Sequence, residues 1–416
     1  MMNVENNLKS IVNDSSLVEE SYVDLNTDLA GEVQIKSVFL ETEPKTKLIT
    51  DFNQKGYSIN DAISQGFSTN IKALSFFSGC GGLDIGSHLA GVEVISSMDN
   101  DAQCIKTLSA NALFNRSQIR LSDITQEKGI DYKKVIDKSK ADKVIMIGGP
   151  PCQPFSKAGY WQTNDVRLKE KDPRNMIGEY LRLIEEIKPD GFILENVESI
   201  LHPSNTVAVN YIHERINKLG FNLTLVRANA IEYGVPQKRK SVFFIASKKK
   251  FRTNHPRKIN GSEEEIKLNP SLIPYEKVID WIGVFDRPEY HEHEESASGK
   301  YYEDLLQVPP GKNYIALTAR ENYPNPKFIA GKRYWTFLLK LHPAETSWTI
   351  ISQPGHWEGP FHWKSRRLRI PEVAAIQTFP KDFMFTGSRR MVHKQIGNAV
   401  PPLLGKSMVE FLVENL

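Results

Sequence analysis

Alternating apolar and polar blocks in the first two thirds of the chain predict a β-α-β order of elements. The segments between the apolar blocks carry amphipathic patterns typical of helices, for example at residues 102–112 and 205–219. Strands that alternate with helices indicate a mostly parallel sheet, so the pattern predicts a doubly wound α/β fold. The apolar runs that indicate buried strands are residues 73–77, 92–97, 119–121, 144–147, 191–194, 221–228 and 241–246.

A change of character at Lys248 divides the chain. From Lys248 to about residue 365 the sequence holds loops, prolines and mixed charges without β-α alternation. We expect a first domain of residues 71–247 plus 366–416 and a second, smaller domain, residues 248–365, rich in loops and short strands. Aromatic residues interleaved with Lys and Arg suit contact with nucleic acid, although each tryptophan fits the core of a small domain equally well. The tryptophans concerned are Trp335, Trp348, Trp357 and Trp363.

The N-terminal residues 1–70 are polar and weakly patterned. Residues 1–50 contain nine Asp and Glu against four Lys and Arg. This composition predicts an acidic, partly disordered extension that would repel nucleic acid. A short helix at residues 58–65, with Ser58 as its N-cap, is the one element we expect there.

Charge and cysteine content narrow the class of protein. The formal net charge is +3 over 416 residues, which excludes an indiscriminate polycation but permits a local basic face. The densest positive run, residues 364–369, predicts a contact with phosphate. Cys80, Cys104 and Cys152 are too few for a disulfide framework and form no Cys-x-x-Cys pair, so we expect no metal and a reducing cytoplasm. We find neither a membrane-spanning apolar run nor a signal peptide.

The turn after the first predicted strand is the first candidate site. It reads Phe77-Ser78-Gly79-Cys80-Gly81-Gly82-Leu83. Glycines allow a ligand to approach the backbone closely, and the series strand, glycine turn, helix is typical of a nucleotide-binding loop. A purely structural turn is the alternative. The spacing Gly-x-Gly-Gly disfavours NAD and suits S-adenosylmethionine.

Two later strand ends supply polar groups at the same edge of the predicted sheet. Asp99, followed by Asn100, lies at the spacing after the glycine turn that is typical of an acid binding ribose hydroxyls. Asp123, followed by Ile124, could accept a hydrogen bond from an adenine amino group. A solvated loop residue is the alternative for Asp99, and an ordinary helix cap is the alternative for Asp123.

The loop at residues 148–156, Gly-Gly-Pro-Pro-Cys-Gln-Pro-Phe-Ser, follows the buried strand at 144–147. Its prolines stiffen the chain, so Cys152 lies on a rigid loop at the edge where open parallel sheets bind ligands. A thiol held there is a candidate covalent nucleophile, and a buried inert cysteine is the alternative. The polar segment 157–171 predicts a lid or binding loop.

A carboxylate and a basic turn complete the candidate chemistry. Glu195 stands at the tip of the buried strand at 191–194, where desolvation is expected to raise its pKa. It could then donate a proton or a hydrogen bond at neutral pH, whereas a salt-bridged glutamate is the alternative. The turn Gln237-Lys238-Arg239-Lys240 supplies cations before the strand at 241–246.

In content and order these motifs resemble those of DNA (cytosine-5) methyltransferases, from about residue 73 to the C-terminus. The resemblance implies an S-adenosylmethionine-dependent, Rossmann-like methyltransferase sheet, with S-adenosylmethionine as methyl donor and no metal. It implies catalytic roles for Cys152, Glu195 and Arg239. The segment 395–402 resembles the motif that returns the C-terminus to the cofactor site. The implied cofactor contacts are Phe77, Ser78, Gly79, Gly81, Gly82, Leu83, Asp99, Asn100, Asp123, Ile124, Pro151 and Asn398.

The same resemblance implies methylation of cytosine carbon 5 within a specific double-stranded DNA sequence. Cys152 would form a covalent intermediate with a flipped-out cytosine, and residues 248–365 would form the target-recognition domain. The family-level setting is a bacterial restriction-modification system, which implies a monomeric, cytoplasmic and nucleoid-associated enzyme. A restriction endonuclease that shares the same DNA site is the implied partner.

One position departs from the family pattern. The family usually carries a second arginine two residues after Arg239, where this chain has Ser241. We expect Lys240 or another base to substitute for it. A tRNA cytosine-5 methyltransferase, which would need a shorter recognition region, and a catalytically impaired DNA-binding homologue are the alternatives. A nicotinamide oxidoreductase is the rival at the level of fold, but it would not explain the Pro-Pro-Cys and Glu-Asn-Val segments.

Overall fold

The computed structural model describes residues 54–64, 66–67, 69–151, 175–331 and 334–416. Its contacts divide the chain into two compact units. Within the described residues, the larger unit comprises Lys55–Glu276, Thr346–Gln353 and Ile370–Leu416. The smaller unit comprises Gln54, Lys277–Glu345 and Pro354–Arg369.

A seven-stranded sheet, counted over the described residues, forms the centre of the larger unit in the order β3-β2-β1-β4-β5-β8-β6. The first five strands in this order are parallel, and β8 runs antiparallel to both β5 and β6. This confirms the predicted doubly wound α/β class. The strands are β1 (Ile71–Phe76), β2 (Glu93–Asp99), β3 (Gln118–Leu121), β4 (Lys143–Gly148), β5 (Gly191–Val197), β6 (Asn222–Asn229) and β8 (Lys240–Ser247).

The central strands are buried along almost their whole length, which explains why they appear in the sequence as continuous apolar runs. Every residue of β1 is buried, and β4 is buried from its second residue onward. Parallel strands covered on both faces are expected to be apolar throughout rather than alternating. The short strands β7 (Gln237–Lys238) and β11 (Ser347–Trp348) pair with each other, as do β9 (Asn260–Gly261) and β10 (Ile273–Pro274).

Helices connect the strands, and the last of them packs against the first part of the fold. The C-terminal helix buries its predicted apolar face, Leu404, Met408, Phe411 and Leu412, in the core that the sheet also forms. The approach is close, since a Cβ atom at Gly86 would lie 2.7 Å from the backbone nitrogen of Lys406. The helices of the larger unit are α1 (Ile59–Ser64), α2 (Gly82–Leu89), α3 (Ala102–Ser109), α4 (Gly129–Ser139), α5 (Met176–Ile187), α6 (Thr206–Lys218), α7 (Glu263–Leu268), α10 (Ile370–Ile376), α11 (Arg389–Asn398) and α12 (Pro402–Val413).

The described part of the N-terminal segment belongs to the larger unit. The Ser58 hydroxyl accepts a hydrogen bond from the backbone N–H of Asp61 at 3.1 Å, which confirms Ser58 as the cap of the predicted short helix. The backbone N–H of Ile59 donates to the Asp382 carboxylate at 2.7 Å. Residues 1–53, on which the prediction of an acidic extension mainly rests, lie outside the described residues.

The observed units differ from the predicted domain boundaries at residues 248–276 and 346–353, which belong to the larger unit, and at residues 366–369, which belong to the smaller unit. The backbone N–H of Ile259 donates to the carbonyl of Glu232 at 2.9 Å, and the Lys258 ammonium lies 2.7 Å from the Glu232 carboxylate. These contacts tie the segment to the end of the sheet. The change of composition at Lys248 therefore does not coincide with the change of unit.

The smaller unit has its own core and little regular structure. The buried cluster consists of Ala297, Leu305, Val308, Tyr314, Leu317, Leu338 and Phe361, and Tyr301, Phe328, Phe337 and Trp357 pack against it. Its helices are α8 (Val278–Ile282) and α9 (Tyr302–Gln307), with 3-10 turns at Gly283–Phe285, Pro288–Tyr290, His293–Glu295, Tyr314–Leu317 and Ala319–Glu321.

The basic run 364–369 has partners within the smaller unit. The guanidinium of Arg369, which is buried, pairs with the Glu295 carboxylate. Arg366 and Lys364 pair with the carboxylate of Asp286, at 3.0 Å and 2.6 Å. Arg366 and Arg369 are thus paired with acids of the smaller unit itself, and a phosphate contact by residues 364–369 stays a prediction.

Candidate active site

A cavity of about 500 Å³ opens at the carboxyl ends of β1, β2, β4 and β5. This is the edge of an open α/β sheet where ligands bind, and the volume lies within the range of small-molecule sites. Most of the predicted site residues meet here. Those in the wall are Phe77, Ser78, Gly79, Gly82, Leu83, Asp99, Asn100, Pro151, Glu195, Arg239 and Asn398.

The glycine turn after β1 takes a conformation that few side chains tolerate. Phe77, Gly79 and Gly81 have φ values of 54°, 54° and 88°, which lie in the left-handed region. A Cβ atom at Gly81 would lie 2.6 Å from the Phe114 ring, and one at Gly82 would lie 2.2 Å from the carbonyl oxygen of Val400. Gly81 and Gly82 therefore allow close packing behind the loop, whereas a Cβ atom at Gly79 would meet nothing within 4 Å.

Asp99, at the end of β2, joins two loops of the cavity wall. One carboxylate oxygen accepts a hydrogen bond from the backbone N–H of Gly79 at 2.8 Å, and the other accepts from the N–H of Asp101 at 2.9 Å. Burial raises the pKa of Asp99, and these backbone hydrogen bonds partly offset the effect. Oxygen lone pairs of this carboxylate remain available to hydroxyl donors on a ligand.

Asp123 and Ile124 are described in the structure, but they are not among the described residues that line the cavity. The exposed Asp123 carboxylate accepts hydrogen bonds from the backbone N–H of Thr125 at 2.9 Å and from its hydroxyl at 2.7 Å. The side chain thus caps a short turn, which is the alternative that the sequence left open. The neighbouring Ser122 N–H donates to the carbonyl of Asp99 at 3.1 Å, so this turn adjoins the cavity. Contact of Asp123 and Ile124 with adenine stays a prediction.

Glu195 lies on the wall formed by the end of β5. Burial raises the pKa of its carboxyl group, while the positive charge of Arg239 and a hydrogen bond with the Ser241 side chain lower it. The raised pKa follows the direction expected from the sequence. A Cβ atom at Gly149 would lie 3.2 Å from a Glu195 carboxylate oxygen, so glycine at this position allows the loop after β4 to pass close to the acid.

Arg239 lies between Glu195 and the C-terminal motif. One guanidinium nitrogen, Nη1, donates to the carbonyl of Gly397 at 2.9 Å, and the buried Nε has no hydrogen-bond partner among the described residues. Burial lowers the pKa of Arg239, and the negative charge of Glu195 opposes this shift. Arg239 itself lies in the wall of the cavity, so its positive charge favours a ligand group that accepts hydrogen bonds or carries negative charge.

The register of β5 and β8 shows which residue faces Glu195 near the position where the family usually has its second arginine. Val197 pairs with Ser241, and Glu195 pairs with Phe243, so Ser241 and Glu195 point to the same face of the sheet. Lys240 points to the opposite face, where its ammonium lies 3.5 Å from the Glu198 carboxylate. The structure therefore places Lys240 away from Glu195, and substitution for the arginine by another base stays a prediction.

Cys152 and the predicted lid at residues 157–171 lie outside the described residues. The described start of their loop is held to β5, because the Asn196 side-chain amide donates to the carbonyl of Pro150 at 3.1 Å. Pro151, the neighbour of Cys152, lines the cavity.

Sequence reasoning missed Asp84, an acid in the first turn of α2. It lies in the cavity wall, its side chain is fully buried, and burial raises its pKa to about 6. The available signal was an aspartate within the otherwise small and apolar start of a helix, next to the glycine turn.

Two observations bear on metals and membranes. Among the described residues, no group of three or more His, Cys, Asp and Glu side chains is arranged to hold a metal ion. In the same part of the chain, no helix combines the length and apolar character required to cross a membrane.

Comparison with known proteins identifies the class. The profile of the C-5 cytosine-specific DNA methylase family matches residues 71–414, and the chain belongs to this family. The chain is therefore a DNA cytosine-5 methyltransferase. Membership implies S-adenosylmethionine as the methyl donor in general terms.

Curated relatives agree with this assignment, and a solved structure shares the fold. The chain is 34% identical over 371 residues to the Type II methyltransferase M.SacI of Streptomyces achromogenes, covering 83% of this chain and 93% of that protein. It is 29% identical over 357 residues to M.NgoFVII of Neisseria gonorrhoeae, covering 84% and 89%. The fold is similar to a prophage-encoded DNA modification methyltransferase of E. coli, with a TM-score of 0.55 at 22% identity over 83% of this chain and 99% of that one.

Proposed function

We propose that this chain methylates carbon 5 of cytosine within one specific double-stranded DNA sequence, through a covalent intermediate with Cys152. The observation that carries the proposal is the convergence of two groups of residues on one cavity. The glycine turn and Asp99 form one wall, and Glu195, Arg239 and Pro151 form another.

The residues present fit S-adenosylmethionine. The cavity offers an open space at Gly79, a half-buried carboxylate at Asp99 and an acidic wall that includes Asp84. The Gly79 turn and Asp99 would hold the nucleoside and methionine parts, with Asn398 and Asn100 beside them. Bound in this cavity, the sulfonium group of the cofactor would supply the methyl group.

The protein groups would act on the cytosine in sequence. The Cys152 thiolate would add to carbon 6 of the base, and Glu195, whose pKa is raised by burial, would donate a hydrogen bond or a proton to ring nitrogen 3. Electron density displaced from the double bond then collects at carbon 5, which becomes nucleophilic. After methyl transfer, loss of the carbon-5 proton to a base and expulsion of the thiolate restore the aromatic ring.

Arg239 would bind the base carbonyl or a neighbouring phosphate through its guanidinium group, and its charge would favour the thiolate form of Cys152. A base inside a duplex cannot reach a cavity at the edge of a sheet, so the cytosine must be flipped out, at a cost of a few kcal/mol. We assign residues 157–171 to closure over the flipped base. We assign the smaller unit to reading base edges in the major groove.

The relatives named above are Type II methyltransferases, and they support a bacterial restriction-modification setting for this chain. In that setting we expect a monomer in the cytoplasm, associated with the nucleoid, and a restriction endonuclease that shares its site. Bisulfite sequencing of DNA from cells that express the protein would identify the methylated sequence. Size-exclusion chromatography with light scattering should give a mass near the 47.2 kDa of one chain.

A covalent trap tests the chemical proposal directly. The protein is incubated with S-adenosylmethionine and duplexes that contain 5-fluorocytosine in varied contexts, because fluorine at carbon 5 cannot leave as a proton. We expect an adduct stable to denaturation with the wild-type protein and none with Cys152→Ser. An adduct with RNA alone would indicate the tRNA alternative. Methyl transfer without any adduct, or an adduct that persists in the cysteine variant, would contradict the assignment of Cys152.

A further inference from the structure

Asp84 is a buried carboxylate in the cavity wall that the proposed mechanism does not use. Its two oxygens accept hydrogen bonds from serine hydroxyls on neighbouring strands, Ser75 at 2.8 Å and Ser97 at 2.7 Å. Ser75 lies on β1 and Ser97 on β2, so the carboxylate joins the two strands whose ends carry the glycine turn and Asp99.

The hydroxyl protons around ionised Asp84 can be assigned in only one direction. Because the single proton of Ser75 is donated to Asp84, the contact of 2.8 Å between Ser75 and Ser78 requires Ser78 to donate. Ser78 in turn accepts from the backbone N–H of Met98 at 3.1 Å. The same logic makes Ser117 the donor to Ser97 at 3.1 Å. A series of hydrogen bonds therefore runs from both strands toward a single negative charge.

The ionised Asp84 carboxylate accepts hydrogen bonds from hydroxyl groups, but its burial and a neighbouring acid disfavour the negative charge. The pKa of Asp84 is raised to about 6, chiefly by burial, with the negative charge of Asp99 adding to the rise and the hydrogen bonds from Ser97 and Ser75 opposing it. Burial raises the pKa of the neighbouring Cys80 thiol, and the negative charges of Asp99 and Asp84 add to this rise. An ionised carboxylate that is buried among neutral dipoles and a second acid is unfavourable by itself. A cationic ligand in the cavity would compensate for it.

We propose that ionised Asp84 is a specificity-determining residue of the cofactor cavity, which favours the positively charged methyl donor over the uncharged thioether product. The inference rests on the proposed function, since it takes S-adenosylmethionine as the ligand. The donor and the product share the nucleoside and the amino-acid part and differ by the methyl group and the charge on sulfur. A buried anion in the wall distinguishes them through this charge and so favours release of the product.

The sign of the pH dependence follows from linkage. Binding of a cation stabilises ionised Asp84 and lowers its pKa, so the donor binds more tightly as the pH rises through about 6 and releases protons when it binds near that pH. The thioether product lacks the sulfur charge, and its affinity should change little over the same range. The ratio of the two dissociation constants therefore isolates the effect of the sulfonium group.

Isothermal titration calorimetry measures affinity and proton release together. The full chain is titrated with each ligand between about pH 5 and pH 8, in buffers of different ionisation enthalpy. We expect the preference for the donor over the product to increase about tenfold across this range, the order of magnitude for one charge pair at moderate separation in a protein. Asp84→Asn, which keeps the shape of the side chain, should remove the increase and the proton release.

Two further variants distinguish the titration of Asp84 from the titration of other acids and from a general loss of folding. Ser97→Ala removes a hydrogen bond that lowers the pKa of Asp84, so the midpoint of the transition should move to higher pH. Ser96→Ala is the matched control, because Ser96 is a buried serine on the same strand whose hydroxyl donates to the carbonyl of Gln118 instead. It should behave as wild type.

The outcomes distinguish this inference from the proposed function. A preference and a proton release that persist in Asp84→Asn, with an unmoved midpoint in Ser97→Ala, would transfer the effect to another acid such as Asp99 and overturn the inference. A wild-type protein that binds neither ligand at any pH would instead contradict the proposed cofactor. Methyl transfer to DNA by the wild type, with equal pH profiles for both ligands, would overturn the inference alone.

Discussion

The two walls of the cavity hold their carboxylates in different ways. On the cofactor wall, Asp84 and Asp99 accept hydrogen bonds from hydroxyls and backbone N–H groups contributed by β1, β2 and the loops that follow them. On the catalytic wall, Glu195 faces the charge of Arg239 and a hydroxyl of Ser241, both distant in sequence. The first wall is built from one continuous stretch of chain, whereas the second requires the correct register of antiparallel strands.

This difference separates the effects of mutation. Changes on the cofactor wall should alter folding and cofactor affinity, because its groups also hold the loops together. Changes on the catalytic wall should alter turnover and its pH dependence, because Glu195 and Arg239 are positioned by a sheet that remains intact without their side chains. The predictions below test this separation.

Glu195→Gln should give the largest effect, a reduction of kcat by about a thousandfold. The amide keeps the size of the side chain but cannot donate a proton, and general acid catalysis contributes about 10²–10⁴-fold. The dissociation constant of S-adenosylmethionine should remain within about twofold of wild type. Single-turnover methylation and calorimetry measure the two quantities. A variant that loses cofactor affinity as much as turnover would contradict the separation of the walls.

Gly82→Ala should cost about 3 kcal/mol of folding free energy. The new Cβ atom would lie 2.2 Å from the carbonyl oxygen of Val400, and backbone cannot move away cheaply. Chemical denaturation measures the loss. Gly79→Ala is the matched comparison in the same turn, because its Cβ atom would meet nothing within 4 Å. It should cost about 1 kcal/mol for the left-handed backbone and should weaken cofactor binding more than folding.

Asp84→Asn should increase the stability of the cofactor-free protein at pH 7.5 by about 2 kcal/mol. The folded-state pKa is raised, so the protonated carboxyl stabilises the fold below the pKa of the unfolded chain, and this contribution is lost as the pH rises through about 6. The neutral amide should therefore flatten the stability profile between about pH 4 and pH 7. Thermal unfolding over this range, with Ser96→Ala as control, tests the sign. If Asp84→Asn were less stable than wild type at pH 7.5, the negative charge of Asp84 would already be stabilised by its surroundings in the cofactor-free protein.

The sequence predicted the cofactor wall well because its information is local. The apolar run of β1, the glycines of the turn and the acid at Asp99 stand in one order, and the structure brings Phe77, Gly79 and Asp99 to one cavity. Asp84 escaped because nothing in the sequence reveals that hydroxyls from two strands converge on it. The ion pairs of Arg366 and Arg369 could not be predicted for a related reason, since their partners Asp286 and Glu295 stand about 70 to 80 residues earlier and charge counts do not reveal pairing.

The catalytic wall required the strand register. The sequence supplied Glu195 and Arg239 as candidates, but it could not tell whether Lys240 or Ser241 faces the acid. A shift of one residue exchanges the two faces of a strand. The pairing of Val197 with Ser241 decides in favour of the serine.

Ser241 should therefore set the pH dependence of turnover, with a much smaller change in rate than Glu195→Gln. Its hydrogen bond lowers the pKa of Glu195, so Ser241→Ala should raise that pKa and move the alkaline limb of the kcat profile to higher pH. Ser241→Arg, which restores the residue usual in the family, should move the limb to lower pH, because a nearby positive charge favours the carboxylate. Lys240→Ala, on the opposite face, is the matched control and should leave the limb in place. A shift in the control as large as in the serine variants would mean that the limb reports a group other than Glu195.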